Sequence, residues 1–240
     1  MITDFHAHIL PNIDDGAKNV DVALSILKKE KNDGVDIVVA TPHFYRHKED
    51  ILSFLSRREA SYNQLIQQAD KLSLPEIVLG AEVYFSPSLI EDKDFEKLCI
   101  ENTKYILLEM PYQQFSKRLL DSLRDFVSST KVIPIMAHIE RYLNFTDILN
   151  IFEMMSMDVL GQVNCSSLAK FGSRKRALKF FENEMVHVIG TDAHNTDLRS
   201  PLFGEAREIL CKKQHSKHFD KLMRNAEMIL NNAELDEILK

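Results

Sequence analysis

Two histidines lie two residues apart near the start of the chain, in the stretch "DFHAH" at residues 4–8. If this stretch is a strand, alternate side chains point to the same face, so the rings of His6 and His8 lie side by side. Paired imidazoles are suitable ligands for a transition-metal ion. Because short His-x-His pairs also occur by chance, the metal hypothesis depends on the ligand types found elsewhere in the chain.

Ligand-type side chains recur along the rest of the chain. Besides His6 and His8, the candidates are Asp15, His43, Glu82, Glu109, His138, Asp192 and His194. One catalytic zinc ion needs about three protein ligands, so this set is large enough for two or three ions. Carboxylates gathered in a buried site require a positive partner. Imidazole mixed with carboxylate, without thiolate, favours manganese, iron or zinc over a structural zinc site.

Seven apolar, β-branched runs, which we interpret as strands, position these residues. They cover residues 2–6, 35–41, 76–83, 104–111, 132–138, 159–164 and 186–193. Most are apolar throughout, as expected of strands buried on both faces. Asp15 follows in the first loop, and the other candidates lie at the C-terminal ends of the runs, as does Asn164 at the end of the sixth.

Helical patterns separate these strands. Apolar helical faces are formed by Val20, Ala23, Leu24 and Leu27, and by Leu119, Leu120, Leu123, Phe126 and Val127. Residues 48–72 are helical in composition, and the last 40 residues predict two more helices. Alternation of strand and helix predicts an α/β fold with a parallel sheet and right-handed crossovers.

An open doubly wound sheet and a closed barrel both fit this alternation, and the ligand-type residues distinguish them. All strand C-termini of a barrel meet at one face, whereas an open sheet has one crevice at its switch point. The gathering of ligands from seven strand ends therefore favours a seven-stranded (β/α) barrel of the TIM type. No linker or repeat divides the sequence, so residues 1–240 are predicted to form a single domain.

The bulk composition argues against several classes of protein. The 240 residues carry a net charge of -6, unlike a nucleic-acid-binding protein that relies on charge. No apolar run approaches the roughly 20 residues of a membrane span, and the N-terminus lacks the regions of a signal peptide. We therefore predict a cytoplasmic protein that is not inserted in a membrane. The three cysteines have no CxxC spacing and are interpreted as free thiols.

Several other polar residues have structural interpretations. Asp4 is interpreted as an orienting partner of a ligating imidazole or as a buried hydrogen-bond acceptor. Asp14 is interpreted as a cap for a helix that starts near Gly16. His187 begins a strand and is predicted to lie in the core. A surface location is predicted for His47, His215 and His218.

Five motifs in order, "DFHAH", "ATPH", "GAE", "AHIER" and "TDAH", resemble the polymerase-and-histidinol-phosphatase (PHP) family over nearly the whole chain. The longer stretches "HAHILPNIDDG", "GAEVYF", "LLEMP", "AHIERY" and "TDAHNTDLRSP" are similar to one branch, the bacterial protein-tyrosine phosphatases of capsule and exopolysaccharide operons. The resemblance implies a distorted seven-stranded (β/α) barrel of PHP type. It also implies two or three divalent ions, with manganese preferred over iron or zinc.

The resemblance further implies how the ligands are shared. Three groups follow from it: His6, His8, Glu82 and Asp192 for the first ion; Glu82, Glu109 and His138 for the second; Asp15, His43 and His194 for the third. The same branch implies that Arg141 and Arg199 bind the phosphate. Guanidinium forks match phosphate oxygens bidentately, in keeping with this role.

These roles imply hydrolysis of a phosphotyrosine ester by a hydroxide that bridges two ions. A phenol has a pKa of about 10 and leaves readily, so a dedicated general acid is not obligatory. The implied substrate is a phosphotyrosine protein, a bacterial tyrosine autokinase of polysaccharide export. A cysteine-phosphatase mechanism is excluded, because no arginine stands six residues after Cys99, Cys165 or Cys211.

Three alternatives are compatible with the sequence. A small-molecule phosphatase of the histidinol-phosphatase type would share most of the metal ligands. A non-catalytic PHP module would bind metal for stability or dock a partner. A PHP-type exonuclease is disfavoured by the acidic composition and by the lack of a basic stripe. Glu140 and Tyr142 are further candidates for substrate contact.

Overall fold

The computed structural model describes residues 1–69, 72–212 and 215–239, and all strand pairs within them run parallel. The strands are β1 (Thr3–Ala7), β2 (Ile37–Ala40), β3 (His43–Phe44), β4 (Glu76–Leu79), β5 (Glu82–Tyr84), β6 (Tyr105–Glu109), β7 (Ile133–Met136), β8 (Leu160–Asn164) and β9 (Val188–Gly190). Each predicted strand region overlaps at least one of them. The predicted α/β class with parallel pairing is confirmed.

The strands form two sheets, with the orders β1-β2-β4 and β3-β5-β6-β7-β8-β9. The described residues contain nine strands instead of the predicted seven, because the short β3 lies beyond the end of the second predicted strand (35–41) and because the third predicted strand (76–83) is interrupted. Pro42 lies between β2 and β3 and has no N–H to donate to the ladder. The third predicted strand is interrupted at Gly80. The Gly80 N–H donates to the Ala40 carbonyl at 2.8 Å and the Glu82 N–H to the Pro42 carbonyl at 3.0 Å, so pairing continues past both interruptions.

The first and last strands also meet. Ala7 and Ala193 form a parallel bridge, and the His8 N–H donates to the Ala193 carbonyl at 2.9 Å. The Asp192 N–H donates to the His6 carbonyl at 2.6 Å. The parallel sheet is therefore curled, and its first and last strands lie side by side.

Helices follow most of the strands. The α-helices are α1 (Val20–Asn32), α2 (Ile51–Ala69), α3 (Lys117–Ser129), α4 (Ile148–Met155), α5 (Cys165–Ala169), α6 (Phe171–Glu182), α7 (Phe203–Leu210), α8 (Ser216–Leu230) and α9 (Leu235–Ile238). Three 3-10 helices cover Pro87–Glu91, Phe95–Leu98 and Ile139–Asn144. The predicted helix at 48–72 is α2, and residues 70 and 71 lie outside the described part. The two helices predicted near the C-terminus are α7 and α8, followed by the single turn of α9.

Two apolar clusters pack on opposite faces of the strands. The larger cluster contains Ile106 and Leu108 of β6 with apolar residues of most helices. The smaller one contains Tyr105 and Leu107 of the same strand, together with Ile229 of α8 and Ile238 of α9. Since alternate side chains of β6 enter different clusters, this strand is buried on both faces, as its continuous apolar sequence predicts.

Other predictions from the sequence concern the cysteines, membrane-spanning helices and the histidines outside the candidate ligands. Cys99, Cys165 and Cys211 are free thiols, as predicted. Among the described residues, the structure contains no helix whose length and hydropathy would allow it to span a membrane. His187 is buried as predicted. His47 is exposed, whereas His215 and His218 are only partly exposed.

Candidate metal centre

The nine predicted ligands lie together at one rim of the parallel strands. Their positions are His6 in β1, His43 in β3, Glu82 in β5 and Glu109 in β6, with His8, Asp15, His138, Asp192 and His194 in the loops that follow β1, β7 and β9. Three groups have ligand atoms within 4.8 Å of one another: His8, Asp15, His43 and His194; His6, His8 and Asp192; His43, Glu82 and Glu109. His138 joins them, because its Nε2 lies 2.9 Å from Glu82 Oε1 and 3.5 Å from Glu109 Oε1.

Glu82 is at the middle of the cluster. Its Oε2 atom lies 3.3 Å from His6 Nε2, 3.2 Å from His8 Nε2 and 2.9 Å from His43 Nδ1. Glu82 is buried, so this carboxylate cannot be stabilised by bulk water. A carboxylate that several imidazoles approach together is suited to bridging two cations.

The donor atoms of the cluster fit a divalent cation better than they fit one another. His43 Nδ1, Glu82 Oε2 and His194 Nε2 are buried without a hydrogen-bond partner in the described part of the chain. The first two atoms are only 2.9 Å apart, so their orientation rather than their separation prevents a hydrogen bond. Convergent imidazole and carboxylate lone pairs are the usual ligands of manganese, iron and zinc.

The electrostatics agree with this interpretation. Burial raises the pKa of Glu82, but His6 and the other nearby imidazoles outweigh burial and hold it well below its usual range. Burial lowers the pKa of His138, yet Glu109 and Glu82 raise it to about 9. For His8, Asp14 outweighs burial and raises the pKa well above its usual value. Protons on these rings therefore balance the carboxylates, and a bound divalent cation would replace that positive charge.

A second layer of buried polar groups orients these ligands. Asp14 Oδ2 lies 2.7 Å from His8 Nδ1 and accepts from the His43 N–H at 2.9 Å. The prediction that Asp14 caps a helix is wrong, because α1 begins at Val20 and Asn19 is its cap. Asp14 instead orients two candidate ligands.

Gln162 and Asp4 also belong to this layer. Gln162 Oε1 accepts from the His138 N–H at 2.7 Å and lies 3.2 Å from His6 Nδ1. Asp4 accepts from the backbone N–H of His6 at 3.0 Å and of Thr191 at 2.9 Å. Asp4 is thus a buried acceptor that fixes β1 against the residue after β9, one of its two predicted roles. The role of Gln162 was not predicted, since a glutamine inside a strand gives no local signal.

Two of the candidate ligands have left-handed backbone conformations. His138 has φ 34° and Asp192 has φ 53°. A residue with a Cβ atom adopts this region at a cost of about 1–3 kcal/mol, and such residues are concentrated at functional sites. The backbone is therefore strained just after β7 and β9, at the two residues whose side chains enter the cluster.

Both predicted phosphate-binding arginines reach the same rim. Arg141 Nη2 lies 2.5 Å from Asp192 Oδ2, and Arg199 Nη2 donates to Asp192 Oδ1 at 2.7 Å. Arg199 Nη1 also donates to Asp15 Oδ2 at 3.3 Å. In this structure both arginines therefore neutralise carboxylates that are predicted metal ligands.

A cavity of about 310 Å³ opens over the cluster. Its walls are His43, Tyr45, Glu82, Tyr84, Glu109, Tyr112, His138, Arg141, Asp192 and Arg199. Tyr45 and Tyr84 are in contact, with ring centroids 5.6 Å apart, and Tyr112 stacks on His138 at 5.9 Å. The cavity thus combines an anionic and imidazole floor, two guanidinium groups and three phenol rings.

Two further candidates for substrate contact are structural instead. Tyr142 is buried, and its hydroxyl accepts from the Met110 N–H at 2.8 Å. Glu140 is also buried, and its Oε1 accepts from the Ser167 hydroxyl at 2.7 Å and from the Asn164 N–H at 3.2 Å. Neither residue lines the cavity.

The sequence of the chain is similar to those of known proteins over nearly its whole length. The model of the family described as capsular polysaccharide synthesis, CpsB/CapC, matches residues 2–231. The tyrosine-protein phosphatase CpsB of Streptococcus agalactiae serotype III is 29% identical over 245 residues, covering 95% of this chain and 98% of that protein. The tyrosine-protein phosphatase YwqE of Bacillus subtilis is 29% identical over 239 residues, covering 95% and 91%.

Solved structures share the fold. A chain from the work described as crystal structures of YwqE from Bacillus subtilis and CpsB from Streptococcus pneumoniae, metal-dependent tyrosine phosphatases, matches with a TM-score of 0.84 at 24% identity, covering 97% of this chain and 96% of that chain. A histidinol phosphate phosphatase from Lactococcus lactis, solved with zinc, histidinol and phosphate, matches with a TM-score of 0.53 at 12% identity, covering 88% and 93%. At 24% and 12% sequence identity, these two matches show similarity of fold.

Proposed function

Because the chain belongs to the CpsB/CapC family of capsular polysaccharide synthesis, we propose that it is a metal-dependent protein-tyrosine phosphatase. The observation that carries this proposal is the cavity itself. Nine imidazole and carboxylate side chains, the predicted ligands, lie together next to two arginines and three tyrosines. This set can bind cations, a phosphate group and an aromatic ring side by side. Its relatives CpsB and YwqE are named tyrosine-protein phosphatases.

We propose that the site binds two or three divalent ions, manganese in preference to iron or zinc; the three groups of converging side chains support more than one ion. We assign His6, His8, Glu82 and Asp192 to the first ion, Glu82, Glu109 and His138 to the second, and Asp15, His43 and His194 to the third. When bound, such ions supply an activated water and neutralise the phosphoryl oxygens. Asp14 and Gln162 hold the rings of His8 and His6 in orientation, which preserves ligand geometry during turnover.

Arg141 and Arg199 bind the phosphate in this proposal. Both line the cavity, and both now bond to the carboxylate of Asp192. A phosphate monoester carries more negative charge than one carboxylate and accepts the same forked hydrogen bonds. Asp192 would hold a cation in this proposal, and Arg141 and Arg199 would then be available to pair with the phosphoryl oxygens of the substrate.

The tyrosines favour an aryl ester over an alkyl ester. Tyr45, Tyr84 and Tyr112 line the wall of the cavity, where a phenyl ring can stack against them. Burial raises the pKa of Tyr84, and it raises the pKa of Tyr112 far above the ordinary value, so both rings stay neutral at physiological pH. The phenol of phosphotyrosine leaves without a dedicated general acid, because its pKa is about 10.

The proposed substrate is a phosphotyrosine protein, a bacterial tyrosine kinase of polysaccharide export, and the proposed location is the cytoplasm. We further propose that residues 1–240 form one domain whose two sheets make a single distorted seven-stranded barrel. Pairing across Pro42 and Gly80, and the contact of β1 with β9, support this closed arrangement.

Hydrolysis of phosphotyrosine and phosphoserine peptides by manganese-reconstituted protein tests the proposal. We expect turnover of phosphotyrosine that depends on the metal and is lost in His6→Ala, Arg141→Ala and Arg199→Ala variants that fold normally by circular dichroism. The exposed Arg118 provides a control through Arg118→Ala. Turnover of histidinol phosphate far above that of phosphotyrosine would instead identify a small-molecule phosphatase, and no turnover of any ester would leave a non-catalytic metal-binding module.

A further inference from the structure

An apolar groove of about 400 Å³ lies between α4 and α6, apart from the candidate metal centre. Its lining is Leu143, Ile148, Phe152, Arg176, Lys179, Phe180, Asn183 and Met185. Ile148 and Phe152 are 40% and 38% exposed, although both are large apolar side chains. Contiguous exposed apolar surface with a polar rim is typical of a binding surface.

Two basic side chains of α6, Arg176 and Lys179, line this groove, in a chain whose net charge is -6. Within the described residues, neither side chain forms an ion pair. Arg176 donates only to the side-chain oxygen of Asn144, at 3.2 Å. Among the described residues, those that line the groove include no carboxylate, so the positive charge of Arg176 and Lys179 is complementary to an acidic partner.

The groove is adjacent to the cavity over the metal ligands. One 3-10 helix, Ile139–Asn144, contributes Arg141 to the cavity and Leu143 to the groove. Phe145 follows this helix and is 41% exposed. Its ring centroid lies 5.0 Å from that of Tyr112 in the cavity wall. The cavity and the groove therefore share one short helix, and Phe145, the residue after that helix, extends the aromatic wall of the cavity.

We propose that this groove binds the segment of the phosphoprotein substrate that flanks the phosphotyrosine, and that this segment combines apolar and acidic side chains. The inference depends on the proposed phosphatase function, because it assigns the groove to the same substrate as the cavity. Apolar side chains of the segment fill the space beside Phe152, and its carboxylates pair with Arg176 and Lys179. Selectivity among phosphoproteins then comes from the groove, while the cavity supplies selectivity for phosphotyrosine.

Two phosphotyrosine peptides of equal length test the proposal, one with Glu and Leu flanks and one with Gly and Ser flanks. Their kcat/KM values are divided by that of phenyl phosphate, which is too small to reach the groove. We expect this ratio to be about tenfold higher for the Glu/Leu peptide, mainly through a lower KM. Two surface charge pairs together with one buried apolar contact can supply an effect of about this size. Arg176→Glu/Lys179→Glu and Phe152→Ser should each remove most of this preference.

Matched controls separate the groove from general effects of charge and hydrophobicity. Lys28→Glu/Lys131→Glu makes the same change of charge at exposed positions elsewhere. Leu149→Ser removes a 74% exposed apolar side chain from the same helix as Phe152, outside the lining of the groove. Both controls should keep the full preference for the Glu/Leu peptide. Equal ratios for the two peptides with wild-type protein would overturn the proposal.

Binding of the fluorescein-labelled Glu/Leu peptide, followed by anisotropy without turnover, distinguishes failure of the groove from failure of the enzyme. Binding that Arg176→Glu/Lys179→Glu abolishes would support the groove even if no ester were hydrolysed. Turnover of both peptides with equal kcat/KM ratios would support the phosphatase function and would reject the proposal that the groove binds the flanking segment. Retention by phosphatidylserine vesicles or a concentration-dependent dimer, without peptide preference, would likewise overturn the proposal and assign the groove to lipid or to a second copy.

Discussion

Asp14 shows how one carboxylate can control several metal ligands. Its Oδ2 contacts both the His8 ring and the His43 N–H, and its charge raises the pKa of His8. Asp14→Asn keeps the shape of the side chain but removes the charge and one acceptor. We expect manganese affinity to fall by about 10–100-fold without loss of fold. Isothermal titration measures this, with the exposed Asp125→Asn as control, and an unchanged affinity would reject the orienting role.

The ligand types could be predicted from sequence because parallel strands present their C-terminal ends to one face. Glu82 and Asp192 each follow an apolar run, and that position alone brings them to a common rim. The role of Gln162 could not be predicted, because its partner His6 is 156 residues away. Asp14 has a local sequence signal, but that signal fits a helix cap equally well. Orienting groups therefore become visible only when the distant strands are placed together.

At the scale of the secondary-structure elements, the close approach of β9 to β1 requires glycine at position 190. A Cβ atom added to Gly190 would lie 2.4 Å from the His6 Cβ and 2.9 Å from the His6 nitrogen. We expect Gly190→Ala to lower the free energy of unfolding by at least about 1–3 kcal/mol, as overpacking does, and to weaken manganese binding through His6. Urea denaturation and metal titration provide the measurements.

Gly172 in α6 provides the matched comparison, because an added Cβ atom there meets nothing within 4 Å. Gly172→Ala should leave the stability unchanged or raise it by up to about 1 kcal/mol through helix propensity. Similar stability changes for both substitutions would contradict the packing argument for β9 and β1.

The pairing of β8 with the segment before β9 should depend on pH. The Gly161 N–H donates to His187 Nδ1 at 2.9 Å, and burial, helped by Lys221, lowers the pKa of His187 to about 4 from 6.5. Between these pH values the unfolded state binds more protons, so the free energy of unfolding falls as the pH drops from 6.5 to 4. The contribution, fully present above pH 6.5, amounts to about 3 kcal/mol.

Urea unfolding of wild type and His187→Asn at pH 7 and pH 4.5 measures this contribution. Asparagine can still accept from Gly161 but does not titrate, so the variant should lose less stability at pH 4.5 than wild type does. The exposed His47→Asn should retain the wild-type pH dependence. Equal losses in wild type and His187→Asn would show that other groups cause the acid destabilisation.

Strand positions could be predicted to within a few residues because period and apolarity report burial. The interruptions could not be located, although the sequence contains their causes. Pro42 removes a ladder donor, but proline is also tolerated at strand ends and edges. Gly80 packs against Val39, with the added Cβ position 3.3 Å from a side-chain carbon. Only the register of the neighbouring strands shows that pairing resumes beyond each interruption.

At the scale of the whole molecule, the fold and the candidate metal centre have separate sources of stability. The two apolar clusters extend from β1 to α9 and supply apolar burial that needs no metal ion. The ligands instead bring Glu82, Glu109 and Asp192 into buried positions, where their charge must be balanced. A protein of this design should fold without metal and become more stable when metal binds.

Removal of metal with EDTA followed by addition of manganese should therefore change the melting temperature but not the far-ultraviolet circular dichroism. Manganese at about 100 times its dissociation constant contributes about 2.7 kcal/mol, which corresponds to a rise of roughly 5–10 °C for a chain of this size. The rise should shrink as the pH falls, because the pKa of His138 is about 9 and that of His8 is also raised, so protons compete with the cation for both rings. His6→Ala/His8→Ala should show almost no rise at any pH. A wild-type melting temperature that does not respond to manganese would contradict the assignment of a metal centre to these strand ends.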